Sequence, residues 1–309
     1  MSIKYSIVAT SYNDEGEIES FLHSIINQSC KPEEVIIADG GSKDSTVNII
    51  NRYSEKYPYI RVISNGRLNI AQGYNLAIKN TNTDLIGIVG IGNEYDCEFF
   101  TSLIKKMDEA KTDMVYSPIR GVDSTSFSVK YNRTFLNGEY GQRIKIPSNH
   151  GALVKKNIFE ENGFFYEKFI YAGEDTEFYT LACKNGASCS LSEEAIVRWK
   201  SPMSFNQYYK MSKNYAIALM QIMNNKYLLK RIIKHLFPIL LYFVFVVISP
   251  TYIKVCLLLL GLSYVCYLDY KCKKRNKYLP LVVFEYYIYP LTFFTNAKYM
   301  KKVYKVRRN

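Results

Sequence analysis

Two short stretches near the N-terminus decide the fold: residues 5–15 read YSIVATSYNDE, and residues 35–46 read VIIADGGSKDST. Each begins with an apolar run of strand length and ends in polar residues. Between the two stretches, apolar residues recur at helical spacing, at Ile18, Phe21, Leu22, Ile25 and Ile26. A strand, an amphipathic helix and a second strand in this order indicate a βαβ unit of a parallel sheet.

The same alternation of short apolar runs and helical patterns continues further along the chain. Helices are predicted near residues 46–57, 71–79, 99–107 and 176–184. Strands are predicted near residues 61–63, 85–89, 113–117 and 151–154. The predicted fold class is therefore α/β, with a mostly parallel, doubly wound sheet that binds its ligands at the carboxyl ends of the strands.

The positive charge of the chain is concentrated in its C-terminal part. The net charge is +12, yet residues 1–225 contain 24 basic and 26 acidic side chains, whereas residues 226–309 contain 16 basic and 2 acidic ones. Because large apolar and aromatic residues dominate this basic part, an anionic membrane surface fits it better than a nucleic acid does. Nucleic acid is therefore not an expected partner.

The cysteines and the N-terminus predict a reducing compartment. The seven cysteines are widely spread and contain no Cys-x-x-Cys pair, which fits neither a disulfide framework nor a zinc site. The N-terminus enters a strand-like run at once and has neither the apolar segment nor the cleavage site of a secretory signal. We therefore expect the first two-thirds of the chain to lie in the cytosol.

Three apolar runs follow residue 225, at about residues 232–249, 252–270 and 279–295. The first two reach the roughly 20 residues that a membrane span needs. Basic residues flank this pair on both sides, which predicts a hairpin with both ends in the cytosol. The third run is expected to be re-entrant or to lie along the membrane interface. The alternative is that all three runs are buried helices of a soluble protein.

Polar loops follow the first two predicted strands, at residues 10–15 and 39–46. The carboxyl ends of neighbouring parallel strands meet at one edge of the sheet, so these loops should adjoin. Asp39 could accept hydrogen bonds from a ribose or a base, and Gly40 and Gly41 would let the backbone approach a ligand closely. Asp-Gly-Gly is also simply a good tight turn, and both interpretations stay open.

Together with later motifs in the same order, these loops resemble the large family 2 of inverting glycosyltransferases. The resemblance covers about residues 3–200. Within the family, residues 89–95 and the apolar tail resemble bacterial succinoglycan-type transferases of exopolysaccharide assembly most closely. The motifs that carry the resemblance are Tyr12-Asn13-Asp14-Glu15, Gln28, Asp39 to Thr46, Arg67 to Asn75, and Glu174-Asp175.

The resemblance implies a GT-A fold over residues 1–200 that binds a nucleoside-diphosphate sugar, in particular a UDP-linked one. Amphiphilic connecting helices over residues 201–231 and a membrane-associated helical region over residues 232–309 would follow. By the same resemblance, the residues that bind the nucleotide sugar are Thr10, Tyr12, Glu15, Asp39, Arg67, Gly90, Gly92 and Asn93.

The resemblance also implies that Asp175 is the catalytic base. Such a base removes the proton of the acceptor hydroxyl as it attacks the anomeric carbon, while the diphosphate leaves from the opposite face. Glu174 would orient the acceptor. A simpler interpretation is that both carboxylates begin a helix and favour its dipole, and the two roles are compatible. His150 could contact the leaving group or the acceptor, although a lone histidine is more often structural.

One motif departs from the family. Its members usually carry Asp-x-Asp after the fourth strand, where magnesium or manganese bridges the diphosphate. Here those positions are Gly90 and Gly92. Glu94 or Asp96 could supply a metal ligand from a shifted position. Alternatively, Arg, Lys and backbone N–H groups could stabilise the diphosphate without a metal, or the chain could bind a nucleotide sugar and transfer it poorly.

The expected function is transfer of a sugar from a nucleotide donor to a lipid-linked or polysaccharide acceptor in cell-surface polysaccharide biosynthesis. The expected place is the cytoplasmic membrane, with the catalytic domain facing the cytosol. The alternative is a catalytically silent subunit of a polysaccharide assembly complex that binds nucleotide sugars or acts as a scaffold. A nucleotidyltransferase is not expected, because residues 10–15 contain no phosphate loop rich in glycine and lysine.

Overall fold

The computed structural model describes residues 3–136, 146–169, 171–222, 250–275 and 277–284, and ten single residues between 230 and 292. The chain divides into two compact units. The first comprises Met1–Val122 and Gly138–Lys200, and the second comprises Asp123–Asn137 and Ser201–Asn309. All the candidate site residues named above belong to the first unit.

Strands and helices alternate along most of the described chain. The strands are β1 (Ser6–Ser11), β2 (Glu34–Asp39), β3 (Ile60–Ser64), β4 (Leu85–Val89), β5 (Asn93–Tyr95), β6 (Met114–Tyr116), β7 (Ile119–Gly121), β8 (Gly151–Lys155), β9 (Cys189–Leu191) and β10 (Val197–Trp199). The helices are α1 (Ile18–Ile26), α2 (Thr46–Lys56), α3 (Ile70–Lys79), α4 (Phe99–Ala110), α5 (Ser126–Phe135), α6 (Lys156–Asn162), α7 (Glu174–Lys184), α8 (Phe205–Ile222) and α9 (Thr251–Lys274).

The larger sheet has the strand order β3-β2-β1-β4-β8-β6-β9. Strand β1 pairs in parallel with β2 and β4, so that Val8 lies opposite Ile36 and Ile88. Strand β8 runs antiparallel to β4 and β6. The predicted α/β class with a mostly parallel sheet is therefore confirmed. Strand β8, between β4 and β6, is the strand that runs in the opposite direction to its neighbours.

Helices cover both faces of this sheet because its central strands are apolar on both faces. On β1, Ile7 and Ala9 belong to one core cluster with the buried residues of α1 and α4. Val8 belongs to the other cluster, with buried residues of α3, α6 and α7. Successive side chains of a strand point to opposite faces, so an uninterrupted apolar run fits a strand buried between two helix layers.

A smaller sheet, with the order β5-β10-β7, was not predicted from the sequence. Its strands have three residues each, which is too short for a pattern of period two. Strand β10 runs antiparallel to β5 and places Trp199 opposite Asn93. This sheet thereby brings an aromatic side chain next to the turn that leads from β4 to β5.

In the second unit, aromatic rings join α5, α8 and the residues near 284. The ring centroid of Tyr208 lies 5.4 Å from that of Tyr131 and 5.0 Å from that of Phe284. Leu281 is 2% exposed. The described beginning of the third apolar run therefore packs on protein side chains, while most of this run after residue 284 lies outside the described residues.

No helix within the described part of the chain is both long enough and apolar enough to cross a membrane. Helix α9 coincides with the second arm of the predicted hairpin. Most of the first arm, residues 232–249, and the basic tail lie outside the described residues. The predicted transmembrane hairpin is therefore not confirmed.

Candidate active site

Two adjoining cavities lie beyond the carboxyl ends of β1 and β2. The larger has a volume of about 500 Å³ and is lined by Tyr12, Arg67, Leu68, Asn69, Ile70, Ala71, Gln72, Phe169, Tyr171 and Glu174. The smaller has a volume of about 240 Å³ and is lined by Thr10, Ser11, Tyr12, Asp14, Ala38, Gly40, Leu68, Asn69, Ile70 and Gly73. Because the cavities share four lining residues, we treat them as one cleft.

One wall of the cleft is formed by the N-terminal end of α3. The side chain of Asn69 accepts a hydrogen bond from the backbone N–H of Gln72, and the side chain of Gln72 accepts one from Asn69 in return. This capping box fixes the start of the helix beside the exposed side chain of Arg67. The positive end of the helix dipole and the guanidinium together favour an anionic ligand at this wall.

Helix α3 can approach β1 closely because residue 73 is glycine. A Cβ atom at Gly73 would lie 2.6 Å from Cγ2 of Thr10. Even alanine at this position would force the Thr10 side chain or the helix to shift. The close approach places Thr10 in the lining of the smaller cavity, and the family resemblance implies that Thr10 binds the nucleotide sugar.

Asp39 is 2% exposed, and protein groups already use its carboxylate fully. One oxygen accepts hydrogen bonds from the hydroxyls of Ser11 and Ser42. The other accepts from the backbone N–H groups of Gly41 and Ser42, at 2.9 Å each. Asp39 therefore holds the loop that carries Gly40, a wall residue of the smaller cavity. A direct contact with the nucleotide requires one of these hydroxyls to turn away.

The loops after β1 and β2 lie together, as expected from the parallel pairing. The backbone N–H of Lys43 donates to Asn13 Oδ1 at 2.8 Å, and that of Asn13 donates to Ser42 Oγ at 2.9 Å. Glu15 takes part in the same contact, because its carboxylate accepts a hydrogen bond from the N–H of Ser45 at 3.0 Å. Glu15 thus lies against the start of α2 and does not line either cavity.

Glu174 and Asp175 are the first two residues of α7, directly after Gly173, whose φ of +101° only glycine adopts readily. Glu174 is 6% exposed and lines the larger cavity. Asp175 Oδ1 accepts a hydrogen bond from the N–H of Thr176 at 2.6 Å. Three acidic residues in this first turn also suit the helix dipole, so both interpretations of the pair fit the structure.

Burial, and next the charge of Asp175, raise the pKa of Glu174 to about 8. The ordinary value for a glutamate is 4.5. Between about pH 4.5 and pH 8, Glu174 is therefore protonated in the native protein and ionised in the unfolded chain. Glu174 is neutral at pH 7 and can donate a hydrogen bond, whereas an ionised carboxylate can only accept one.

Glu174→Gln should therefore become more stabilising as the pH rises. The raised pKa makes the wild type lose stability between about pH 4.5 and pH 8, and glutamine removes this loss. We expect the difference in unfolding free energy between the variant and the wild type to grow by roughly 2–4 kcal/mol across this window. Urea unfolding at pH 5 and pH 8.5 measures it, with the exposed Glu160→Gln as control. The prediction would be refuted if the unfolding free energies of Glu174→Gln and the wild type changed equally between pH 5 and pH 8.5.

His150 lies beside the smaller sheet and not in the open cleft. Its Nδ1 is 3.4 Å from Asn93 Oδ1, and its ring centroid is 5.7 Å from that of Trp199. Burial lowers the pKa of His150, although the charge of Asp175 partly opposes this. A neutral imidazole can donate a hydrogen bond to a leaving group but adds no positive charge.

Gly90 and Gly92 belong to a tight turn between β4 and β5. The N–H of Asn93 donates to the carbonyl oxygen of Gly90 at 3.3 Å, and Gly92 has a φ of +88°. A Cβ atom at residue 90 would lie 2.9 Å from Nδ2 of Asn93. The positive φ therefore favours glycine at residue 92, where an aspartate would be strained, whereas a Cβ atom at residue 90 would require the Asn93 side chain to shift.

Glu94 and Asp96 are the two residues that could supply a metal ligand from a shifted position. Along β5, the side chains of Asn93 and Tyr95 are buried and point to one side of the strand. On that side, the Tyr95 hydroxyl donates a hydrogen bond to the carbonyl oxygen of His150 at 2.6 Å. Glu94 and Asp96 alternate with them and point the other way. Asp96 pairs with Arg198 at 3.1 Å. The described residues also include no group of three or more metal-ligating side chains. The residues present therefore do not fit a divalent cation at this turn.

Sequence reasoning missed several residues of the cleft. Phe169 and Tyr171 line the larger cavity, and Asn69, which lies within the motif from Arg67 to Asn75 but was given no role, lines both. Asn149 contacts the carboxylates of Glu174 and Asp175. No periodic pattern marks the loops that contain these residues, so hydrophobic spacing could not reveal them.

Comparison with known proteins supports the interpretation of the fold. The profile of Glycosyl transferase family 2 matches residues 6–171, more than half of the chain. The chain belongs to this family. The matched region includes the cleft residues on β1, β2 and α3, and it ends just before Glu174 and Asp175.

Curated relatives in the family are similar to this chain over about 60% of its length. The uncharacterized glycosyltransferase YfnE of Bacillus subtilis (strain 168) is 32% identical over 59% of this chain and 46% of its own length. The poly(ribitol-phosphate) beta-glucosyltransferase of Bacillus spizizenii is 26% identical over 62% of this chain and 31% of its own length. The chain thus spans half or less of the length of these two relatives.

Solved structures with the same GT-A-like fold are similar over about 70% of the chain. The mannosyltransferase PcManGT from Pyrobaculum calidifontis, in complex with GDP-Man and Mn²⁺, has a TM-score of 0.56 at 17% identity. The match covers 70% of this chain and 61% of that one. Residues 1–349 of S. aureus TarS, in complex with UDP-GlcNAc, have a TM-score of 0.53 at 20% identity, with coverages of 71% and 67%. At these identities the similarity shows the fold alone.

Proposed function

We propose that this chain transfers a sugar from a nucleoside-diphosphate sugar, UDP-linked in the first instance, to an acceptor hydroxyl with inversion at the anomeric carbon. One observation carries the proposal: the cleft has Arg67 and the start of α3 on one wall and Glu174 on another, with Asp175 next along α7. The names of the family relatives and the nucleotide sugars bound to the two solved structures support it.

In the proposed reaction, Asp175 acts as the base. The acceptor oxygen forms a bond to the anomeric carbon, the bond from that carbon to the diphosphate oxygen breaks, and the acceptor proton passes to Asp175. Glu174, which is neutral at pH 7, donates a hydrogen bond that orients the acceptor. The nucleoside diphosphate leaves toward Arg67 and the positive end of α3.

The nucleotide is proposed to occupy the smaller cavity. Thr10 and Gly40 line it, and Tyr12, which is 50% exposed, lines both cavities. Asp39 stabilises the loop that carries Gly40 through its hydrogen bonds to Gly41 and Ser42. The diphosphate and the sugar are then proposed to extend toward the turn from Gly90 to Asn93. His150 lies next to Asn93 of that turn.

We further propose that transfer does not require a divalent metal, because Gly90, Gly92 and the outward-facing Glu94 and Asp96 leave no ligand set at the turn. With a chelator present, the rate should stay at roughly half or more of its value with magnesium, since Arg67 and backbone N–H groups carry the stabilisation. A rate assay with and without chelator measures this. Complete loss of transfer, restored by magnesium or manganese, would contradict it, and loss of that rescue in Glu94→Gln would identify the ligand.

The acceptor is proposed to be lipid-linked or part of a polysaccharide. The biosynthesis of an exopolysaccharide of the succinoglycan type at the cytosolic face of the cytoplasmic membrane fits the chain best. Helix α9 supports attachment to lipid, because Leu258, Leu259, Leu260 and Leu262 are each more than half exposed around the helix. Exposed apolar side chains in this number indicate a surface that binds a partner. The basic residues of the C-terminal part favour an anionic lipid surface as that partner.

Attachment to lipid is tested by sedimentation of the full-length chain with vesicles that contain anionic lipid. We expect most of the chain to sediment with the vesicles and Leu259→Asp with Leu260→Asp to weaken this binding. The control substitutes exposed residues of the first unit, as in Glu160→Gln. A full-length chain that stays in the supernatant without detergent would contradict the proposal.

The second candidate function is a catalytically silent subunit that binds nucleotide sugars. The glycines at positions 90 and 92 favour it, whereas the Glu174-Asp175 pair at the cleft favours catalysis. A panel of nucleoside-diphosphate sugars, scored for nucleoside-diphosphate release with and without a bacterial lipid extract, separates the two. Release that depends on the acceptor supports transfer. Tight donor binding without any acceptor-dependent release supports the silent subunit.

A further inference from the structure

The side chain of Asn149 connects the start of α7 to the large sheet. Asn149 lies two residues before β8, and its side chain is 9% exposed. Its Nδ2 donates to Glu174 Oε1 at 3.2 Å, and its backbone N–H points at Asp175 Oδ2 at 3.5 Å. Its Oδ1 accepts a hydrogen bond from the Tyr179 hydroxyl at 3.3 Å. One residue thus contacts both carboxylates of the proposed active site.

The Tyr179 hydroxyl decides which way the amide of Asn149 points. An amide offers an oxygen that accepts and a nitrogen that donates, so a donor on one side turns the NH₂ group to the other. Burial raises the pKa of Tyr179 well above its usual value, so its hydroxyl keeps the proton that it donates. The ring is fully buried against Phe165 and Phe178 and cannot swing away. The NH₂ group therefore faces Glu174.

No side chain at the N-cap position fixes the start of α7, and within the first turn Asp175 Oδ1 accepts the hydrogen bond from the Thr176 N–H. The residue before the helix is Gly173. The positions of Glu174 and Asp175 relative to the cleft therefore depend on contacts from outside the helix. Asn149 supplies two of these contacts, and its own position is fixed by the strand that follows it.

We propose that Asn149 is a positioning residue for the transfer reaction, which holds Glu174 and Asp175 in place through its amide and its backbone N–H, with Tyr179 fixing the amide. The inference rests on the proposed function, because that function gives the two carboxylates their roles. General base catalysis is sensitive to displacements of about 1 Å, so the loss of this support should slow the chemical step more than it weakens donor binding.

The same contact lowers the proton affinity of Glu174, against the larger effects of burial and of the Asp175 charge. A hydrogen bond donated by Asn149 favours the ionised carboxylate and opposes the effect of burial on the pKa. Without it, Glu174 should hold its proton to a higher pH than the wild type does. The charged and titratable groups near Glu174 are Asp175, Tyr179, Tyr74, His150 and Arg67.

The first test is kinetic. Asn149→Ala should lower kcat about ten- to a hundred-fold and change the KM for the donor less than about threefold. Tyr179→Phe, which removes one hydroxyl and keeps the ring, should lower kcat less. The matched control is Asn162→Ala at the end of α6, where Asn162 also makes two side-chain hydrogen bonds. A kcat for Asn149→Ala within about twofold of the wild type would overturn the inference.

The second test does not depend on transfer. The carboxyl carbon of Glu174, labelled with ¹³C in the full chain, is titrated by NMR in the wild type, Asn149→Ala and Tyr179→Phe. Both variants should titrate at higher pH than the wild type, and an unchanged titration in both would overturn the inference. If Asn149→Ala fails to fold, Tyr179→Phe alone decides. A wild type without transfer activity would count against the proposed function, while this titration would still decide on Asn149.

Discussion

Asp175→Asn should lower the kcat of sugar transfer by roughly 10²- to 10⁴-fold, the usual contribution of a general base. Asparagine has the same shape as aspartate and keeps an oxygen that can accept the hydrogen bond from the Thr176 N–H. It cannot take the proton of the acceptor hydroxyl. Donor binding should change little, because Asp175 does not line the cleft wall that carries Arg67.

The measurement combines steady-state transfer rates with calorimetry of donor binding. Asp108→Asn is the control, because Asp108 is an exposed residue of α4 that pairs with Lys111 and lies outside the cleft. Equal losses in rate and in donor affinity would indicate a general structural defect in Asp175→Asn. Turnover close to that of the wild type would remove Asp175 from the role of base.

Asp39→Ala should weaken nucleoside-diphosphate binding about ten- to 150-fold, which corresponds to roughly 1.5–3 kcal/mol for a hydrogen bond to a charged group. The substitution leaves the N–H groups of Gly41 and Ser42 without their acceptor and loosens the loop at Gly40. Calorimetry with UDP measures the affinity, and thermal unfolding reports whether the variant is folded. Unchanged affinity in a folded variant would contradict the prediction.

Ser42→Ala separates a direct role of Asp39 from support of the loop. The Ser42 hydroxyl donates to Asp39 Oδ1 and occupies a position that a ribose or a base would need. If Asp39 binds the nucleotide directly, Ser42→Ala should leave affinity unchanged or improve it. If Asp39 acts only through the loop, Ser42→Ala should weaken binding in the same direction as Asp39→Ala, by a smaller factor.

The central part of the fold could be predicted from the sequence because its signals are strong and local. Residues 7–9 and 35–38 are apolar without interruption, and α1 repeats its apolar residues every three or four positions. Burial on both faces of a parallel sheet produces these two patterns together. The strands β5, β7 and β10 produce neither pattern, because each owes its pairing to a neighbour that is distant in the chain.

The site could be predicted where it follows from sheet topology. Loops at the carboxyl ends of neighbouring parallel strands must lie together, and Thr10 and Tyr12 accordingly line one cleft, while Asp39 is hydrogen-bonded to the lining residue Ser11. Glu15 differs, because Ser45 at the start of α2 offers it a backbone donor. Asn149 could not be predicted, because its contacts with α7 depend on how β8 lies against that helix.

The tail illustrates the limit of hydropathy as a signal. An apolar run of fourteen residues, such as 255–268 within this segment, occurs both in membrane spans and in buried helices, so length and flanking charges do not separate the two. The described residues show a helix here, α9, with exposed leucines and with Tyr242 against Gly261. The exposed leucines of α9 support attachment to lipid, which the vesicle experiment tests.

The most direct test of the account is the anomeric configuration of the transferred sugar. Proton NMR of the isolated product, compared with the donor, gives this configuration from the coupling of the anomeric proton. A single displacement with Asp175 as base predicts inversion, so an α-linked donor should give a β-linked product in the wild type. A product with the configuration of the donor would contradict the account, because retention requires a mechanism other than one direct displacement.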